Sequence, residues 1–168
     1  MLPVVVRAEW ILMPAELGEV WGGLLRTHKA VTAAVSTELE AAHGVDATGY
    51  DVLRQLALAD RSRLRMGELA QRVMLTRSGV SGAVDRLEAA GLVQREPTGE
   101  DRRGLYARIT PRGVRLLRRV TPTVETALRH HFLDRLDEAD VAALRAIWQK
   151  LGTAQPSFAV GDAGSAAS

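Results

Sequence analysis

Apolar residues recur with helical spacing through most of this chain, and the clearest unit lies between Leu64 and Thr110. Val80, Ala83, Val84 and Leu87 stand at i, i+3, i+4 and i+7, one stripe of a helix, with Arg77, Ser78, Ser81, Gly82, Asp85 and Arg86 left on the other face. Thr76 has the hydroxyl and the position of an N-cap, and Gly91 sits where a left-handed C-terminal cap belongs. Upstream, Met66 to Val73 predicts a shorter helix, with Met74-Leu75 as the turn between the two. Downstream, Leu92 to Glu96 and Leu105 to Ile109 predict short strands joined by the turn-forming run Pro97 to Gly104. Arg63-Leu64-Arg65 predicts a minimal third strand beside that hairpin.

Outside this unit the pattern is helical. Pro14 can open a long helix in which Leu17, Val20, Trp21, Leu24, Leu25, His28, Val31, Val35 and Leu39 keep the period to about His43, where Gly44 ends it. A helix of about thirty residues extends about 45 Å, long enough to reach a second subunit. Asp46 or Thr48 can cap the next helix, with Tyr50, Val52, Leu53, Leu56, Ala57 and Leu58 as mostly buried positions, and Asp60-Arg61-Ser62 reads as a loop. Thr110-Pro111 is a further helix start; that helix carries Val114, Leu117, Val120 or Thr121, Val124, Leu128 and Phe132, with a kink expected at Pro122. Asp137 caps a last helix bearing Val141, Leu144, Ile147, Trp148 and Leu151, with Gly152 just beyond.

The expected organisation is an N-terminal arm and dimerisation helix over 1–45, a winged helix-turn-helix over 46–110, C-terminal dimerisation helices over 111–153 and a flexible tail over 154–168. The fold is mainly α with a small β-hairpin wing, an α+β chain. Three amphipathic segments outside the winged helix carry apolar residues on several faces, and intertwining with a twofold mate would bury both sides.

Charge changes this picture once it is divided along the chain. The total is only +2, but residues 51–119 hold 15 Arg against 8 Asp and Glu, a net of +7, while the remainder holds 7 Lys and Arg against 12 Asp and Glu, a net of −5. Segregated positive charge points to a polyanion. A helix presented across a tight turn fits the major groove of B-DNA, and adjacent arginines at a hairpin tip suit phosphates or the minor groove. With no cysteine there is no disulfide, thiolate nucleophile or cysteine-ligated metal. No two of His28, His43, His130 and His131 are three or four residues apart, so no metal site is expected. Gly79-Val80-Ser81-Gly82 misses a nucleophile elbow by one residue, and no Gly-rich phosphate loop or His-Glu-x-x-His is present; neither catalysis nor a cofactor is expected. There is no apolar run long enough for a membrane span and no basic n-region of a secretory signal, which predicts a cytoplasmic protein.

Thr76-Arg77-Ser78-Gly79-Val80-Ser81, Val84-Asp85-Arg86-Leu87-Glu88, Gly91-Leu92-Val93 and Asp101-Arg102-Arg103, the last followed five residues on by Ile109-Thr110 with Gly113 beyond, resemble the MarR family of bacterial winged-helix regulators. The similarity runs from about Glu16 to Leu151 and departs at Gly82, where many relatives carry a large basic residue. The resemblance implies a triangular homodimer with two wing-bearing lobes on a pseudo-palindromic operator in double-stranded DNA. Expected DNA contacts are Thr76, Arg77, Ser78, Ser81 and Arg86 on the recognition helix, Arg95 and Arg108 on strands as phosphate contacts, and Arg102 and Arg103 on the wing. Arg103, the Arg of the family's Asp-x-Arg, would enter the minor groove, with Asp101 orienting the turn. The resemblance further implies a small aromatic or phenolic anion as effector, in a crevice that Trp21, His28, Tyr50 and Arg54 could line. The expected function is a sequence-specific, ligand-responsive repressor. The same winged helix could instead serve a non-sensing accessory DNA-binding protein or a protein-interaction module.

Overall fold

The computed structural model describes residues 14–97 and 105–152, and within them the expected elements form in the expected order. They are α1 (Ala15–His43), α2 (Ala47–Leu58), β1 (Arg63–Arg65), α3 (Met66–Arg72), α4 (Arg77–Ala89), β2 (Val93–Pro97), β3 (Leu105–Ile109), α5 (Pro111–His131) and α6 (Glu138–Lys150). The chain divides into two units at residues 129 and 130, the second containing α6. The expected N-terminal arm, the wing tip and the tail beyond Gly152 lie outside the described residues.

The core of the first unit is built around the back of α4. Val80, Ala83, Val84 and Leu87 are each 4% exposed or less, among Val52, Leu53 and Leu56 of α2, Leu69 of α3, Val93 of β2 and Ala107 and Ile109 of β3. Burying a valine or leucine side chain contributes about 1.5–3 kcal/mol, so this stripe fixes which face of α4 turns outward. The helix starts where Thr76 Oγ1 accepts the amide of Gly79 at 3.1 Å. It ends with the amide of Leu92 donating to the Leu87 carbonyl at 2.9 Å, closed by Gly91 at φ 70, a conformation that suits a residue without Cβ. In the turn before α4, Met74 takes φ 53 and is 85% exposed.

The three strands run β1-β3-β2, antiparallel throughout, with Leu64 opposite Ala107 and Arg95 opposite Ala107 from the other side. Period-two alternation turns Val93 and Arg95 to one face of β2 and Gln94 and Glu96 to the other. On that second face Glu96 links all three strands. Its carboxylate accepts from Arg108 Nε at 2.5 Å and Gln94 Nε2 at 3.0 Å, and Arg63 NH1 lies 3.3 Å away. The Arg63 guanidinium also stacks 4.5 Å from the centre of the Tyr106 ring.

Several expected positions shift. Ala57 and Leu58 are exposed, Leu58 at 61%, because the buried stripe of α2 runs through Gly49, Val52, Leu53 and Leu56, and Leu58 lies about 200° round from Leu56. On α5 the buried positions are Gly113, Leu116, Val120, Val124 and Ala127. Val114 and Leu117 are only half-buried, and Leu128 is exposed. The cause is close approach at the helix start: Thr110 Oγ1 donates to the Leu92 carbonyl at 3.1 Å and accepts from Gly113 N at 3.1 Å, laying Gly113 against the Leu92 carbonyl and Ile109. That contact turns the inward face one position from the one read as apolar. α5 runs unbroken through Pro122. Asp60–Ser62, expected as a loop, is a 3-10 turn with Arg61 and Ser62 at positive φ.

Only Val35 and Leu39 of α1 are fully buried, while Leu17, Val20, Trp21, Leu24 and Leu25 are each at least 43% exposed. In the second unit a capping box between Asp137 and Asp140 starts α6, and none of its residues is buried.

Two outcomes follow from this packing. A methyl group at Gly113 would fall inside contact distance of the Leu92 carbonyl oxygen and 2.7 Å from Ile109 Cγ1, so Gly113→Ala should destabilise the fold by about 1–3 kcal/mol, read as a lower denaturant midpoint. Hydrogen bonds from Arg108, and then from Gln94 and Arg63, hold the Glu96 carboxyl down to about 2. Because its folded-state pKa lies below that of the unfolded chain, the stabilisation is fully present above about pH 4.3 and is lost as pH falls from there. Thermal melts on that acid limb should fall less steeply for Glu96→Gln than for the parent, and equal slopes would contradict the assignment.

Candidate nucleic-acid interface

The outward face of α4 follows from its buried one. Arg77 and Ser78 are exposed in its first turn, with Ser81 and Gly82 half-exposed one turn on. Thr76 spends its hydroxyl on the cap and on Ser78 Oγ at 3.1 Å, which fixes the first turn before any ligand arrives. Among the described residues, only the Arg86 guanidinium comes within 4.0 Å of where a Cβ on Gly82 would stand, so this part of the face is small.

Beside it lies a groove of about 570 Å³ between α3, the start of α4 and the wing strands. Arg77, Ser81 and Arg95 all line it, together with Arg65 and Gln71. Neither of these was among the expected contacts. The signal for Arg65 was the alternation in β1, where Leu64 is buried and its neighbour must therefore point away. With Arg65, Arg77 and Arg95 set against Glu68, the described lining is net positive beside the start of a helix, which suits a sugar-phosphate backbone.

The remaining arginines are placed differently from expectation. Arg95, expected on phosphate, is 20% exposed in its side chain, with NH1 2.6 Å from Glu88 Oε2 and 2.7 Å from Asp85 Oδ1. Its NH2 donates to the Ser81 carbonyl at 3.3 Å, and its backbone N–H donates to Glu88 Oε1 at 2.8 Å. Burial works against the Arg95 charge, but the bonds to Glu88 and Asp85 outweigh it and leave its pKa raised. Glu88 is correspondingly lowered, first by the Arg95 backbone N–H and then by its guanidinium. Arg108 is engaged by Glu96 and by the Arg61 carbonyl at 2.7 Å. Arg86 folds back to the Gly82 carbonyl and to Asp46 Oδ2, each at 3.3 Å, but its side chain remains 63% exposed. That Asp46 also caps α2, accepting from Gly49 N at 2.6 Å.

Asp101, Arg102 and Arg103 lie outside the described residues. Of the four effector candidates, Trp21 and His28 are exposed on α1, whereas Tyr50 and Arg54 are half-buried on α2. None of the four lines the groove above, nor the 300 Å³ cleft between the α1–α2 corner and the far side of α4. Arg54 lies 3.8 Å from Asp51, whose carboxyl is pushed up by burial, an effect that Arg54 opposes.

With this geometry in hand, comparison with known proteins is specific. The sequence profile of the MarR family matches residues 43–104, from the α1–α2 corner through the wing turn. The HTH-type transcriptional regulator PapX of Escherichia coli is 30% identical over 105 residues, 62% of this chain and 63% of PapX. The chain thus spans less than two thirds of that relative. Sco3205, a MarR family transcriptional regulator from Streptomyces coelicolor solved in complex with DNA, is 34% identical with a TM-score of 0.75, covering 84% of this chain and 88% of that one. AbsC, a MarR family transcriptional regulator from the same organism, is 29% identical with a TM-score of 0.72, covering 84% and 95%. All three are transcription regulators, not enzymes. Shared sequence over most of the length of Sco3205, and a shared winged helix-turn-helix, establish that this chain belongs to the MarR family.

Proposed function

We propose that this chain is a homodimeric, ligand-responsive repressor that binds a pseudo-palindromic operator in double-stranded DNA in the cytoplasm. The observation that carries the reading is the start of α4, where Arg77, Ser78 and Ser81 face outward beside a groove walled by Arg65, while the back of the helix is locked in the core. Sco3205, a relative solved in complex with DNA, supports the DNA-binding part of it. Each subunit lays α4 in a major groove. Thr76, Arg77, Ser78 and Ser81 approach base edges and adjacent phosphates, with Arg102 and Arg103 on the wing extending the contact into the neighbouring minor groove. The exposed part of Arg86 reaches the backbone at the far end of the helix.

Two half-sites about 34 Å apart require two copies of α4. The exposed apolar stripe of α1 supports a dimer, since Leu17, Val20, Trp21, Leu24 and Leu25 together would be costly to leave in water. The apolar positions of α6 that remain unburied add to this. A second copy covers these faces. Control comes from a small aromatic or phenolic anion, with Trp21, His28, Tyr50 and Arg54 as its candidate contacts. It lowers operator affinity only by as much as it prefers the lobe spacing that mismatches successive grooves.

The test is operator binding across a salt series by the purified protein. Sedimentation should give twice the 18.2 kDa chain mass. Arg77→Ala should weaken binding and lower the slope of log K against log salt by about one. A monomer, or an Arg77→Ala variant with unchanged affinity and slope, would remove the reading, and a protein-interaction module would show no preference among DNA fragments.

A further inference from the structure

Arg95 is heavily engaged beside the reading face, and its partners lie on the reading helix itself. Ser81, Asp85 and Glu88 stand at i, i+4 and i+7, so one guanidinium spans about two turns of α4. The strand's main chain is held as well, through the Arg95 N–H on Glu88. Arg95 is the central residue of β2, which pairs with β3 over five residues from Val93↔Ile109 to Pro97↔Leu105. Fixing Arg95 therefore fixes the strand that leads into the wing.

Two roles compete for this arginine, contact with phosphate or attachment of the wing. Charge decides between them. The Asp85 side chain is 62% exposed and that of Glu88 39%, and both carboxylates sit on the DNA-facing helix. Swinging Arg95 to a phosphate would gain one favourable contact and leave two carboxylates facing a polyanion without their cation. It would also break a charge-assisted pair at each acid.

We propose that Arg95, with Glu88 and Asp85, is a positioning clamp that makes the wing and the recognition helix one rigid reader, and that operator selectivity depends on it. This rests on the DNA-binding function proposed above. A fixed offset between helix and wing lets only duplexes whose major and minor grooves are correctly spaced engage both elements at once. Loosening the offset penalises the operator more than random DNA, because non-specific binding needs only charge.

Glu88→Gln separates the two roles. It removes a negative charge near DNA, so a phosphate-contacting Arg95 predicts equal or tighter binding, whereas the clamp predicts weaker operator binding. Fluorescence anisotropy would be measured with an operator duplex selected from random DNA and with a scrambled duplex, over a salt series. Glu88→Gln and Arg95→Gln should each lose about tenfold on the operator, about the worth of one charge-assisted hydrogen bond. The salt slope should stay at the parent value, the scrambled duplex should be bound nearly as before, and the double variant should be no worse than either single one. Arg95→Lys keeps the charge but not the fork, and should lose selectivity too. Tighter operator binding by Glu88→Gln, full selectivity in Arg95→Lys, or a slope lowered by about one in Arg95→Gln with equal loss on both duplexes would overturn the clamp. Amide hydrogen exchange gives an arm independent of DNA. The Arg95 amide should exchange about tenfold faster in Glu88→Gln, and an unchanged rate would overturn the clamp. A parent protein that binds no duplex but shows this acceleration would instead remove the DNA-binding function and leave the clamp standing.

Discussion

The outward half of α4 is available to a ligand because its inward half is not. Val80, Ala83, Val84 and Leu87 are packed against α2, α3 and the sheet, and a rotation of the helix by one residue would bring a hydroxyl or a charge into that contact. Burial thus sets the angle at which Arg77, Ser78 and Ser81 are offered. The cap at Thr76 and the Gly91 turn fix where the helix starts and stops. The register of the outward face is therefore a property of the core, and buried residues such as Leu53 or Ile109 help to hold it.

Around that core the arginines divide into two populations by what lies within reach. Arg65, Arg77 and Arg95 line the groove, and of these Arg95 meets carboxylates on α4, as Arg108 and Arg63 meet Glu96 across the sheet, whereas Arg65 lies over the Tyr106 ring. The acids Glu88 and Glu96 are one residue type with two locations, one joining strand to helix and the other joining the three strands. Ion pairs at the surface of a small sheet add little stability individually. Their value here is directional, because the sheet is only three strands wide and its first strand three residues long. So small a sheet has little buried area with which to define its angle to a helix, and ion pairs supply that definition.

Much of this was legible in the sequence. The stripe on α4, the caps at Thr76, Thr110 and Asp137, the hairpin strands and the minimal strand at Arg63–Arg65 all rest on spacing and local chemistry, which survive folding unchanged. What could not be read was set by tertiary contact. The inward face of α5 depends on how closely Gly113 approaches Leu92, a distance that no helical period encodes. The roles of Arg95 and Arg108 depend on carboxylates 7 and 12 residues away in sequence that the hairpin and the helix bring together. An arginine near a wing reads as a phosphate contact until its neighbours are known. Arg65 illustrates the opposite case: alternation in β1 turns it away from buried Leu64, but the groove that it lines exists only once α3, α4 and the strands are assembled.

The central claim is that the exposed start of α4 reads sequence while its buried stripe holds it in place. The most direct measurement is the base preference selected from random duplexes by the parent and by Ser81→Arg, which adds a long cation to the reading face without touching the core. A changed preference within each half-site, with unchanged thermal stability and oligomeric state, is the predicted result. The same selected sequence from both proteins would contradict it.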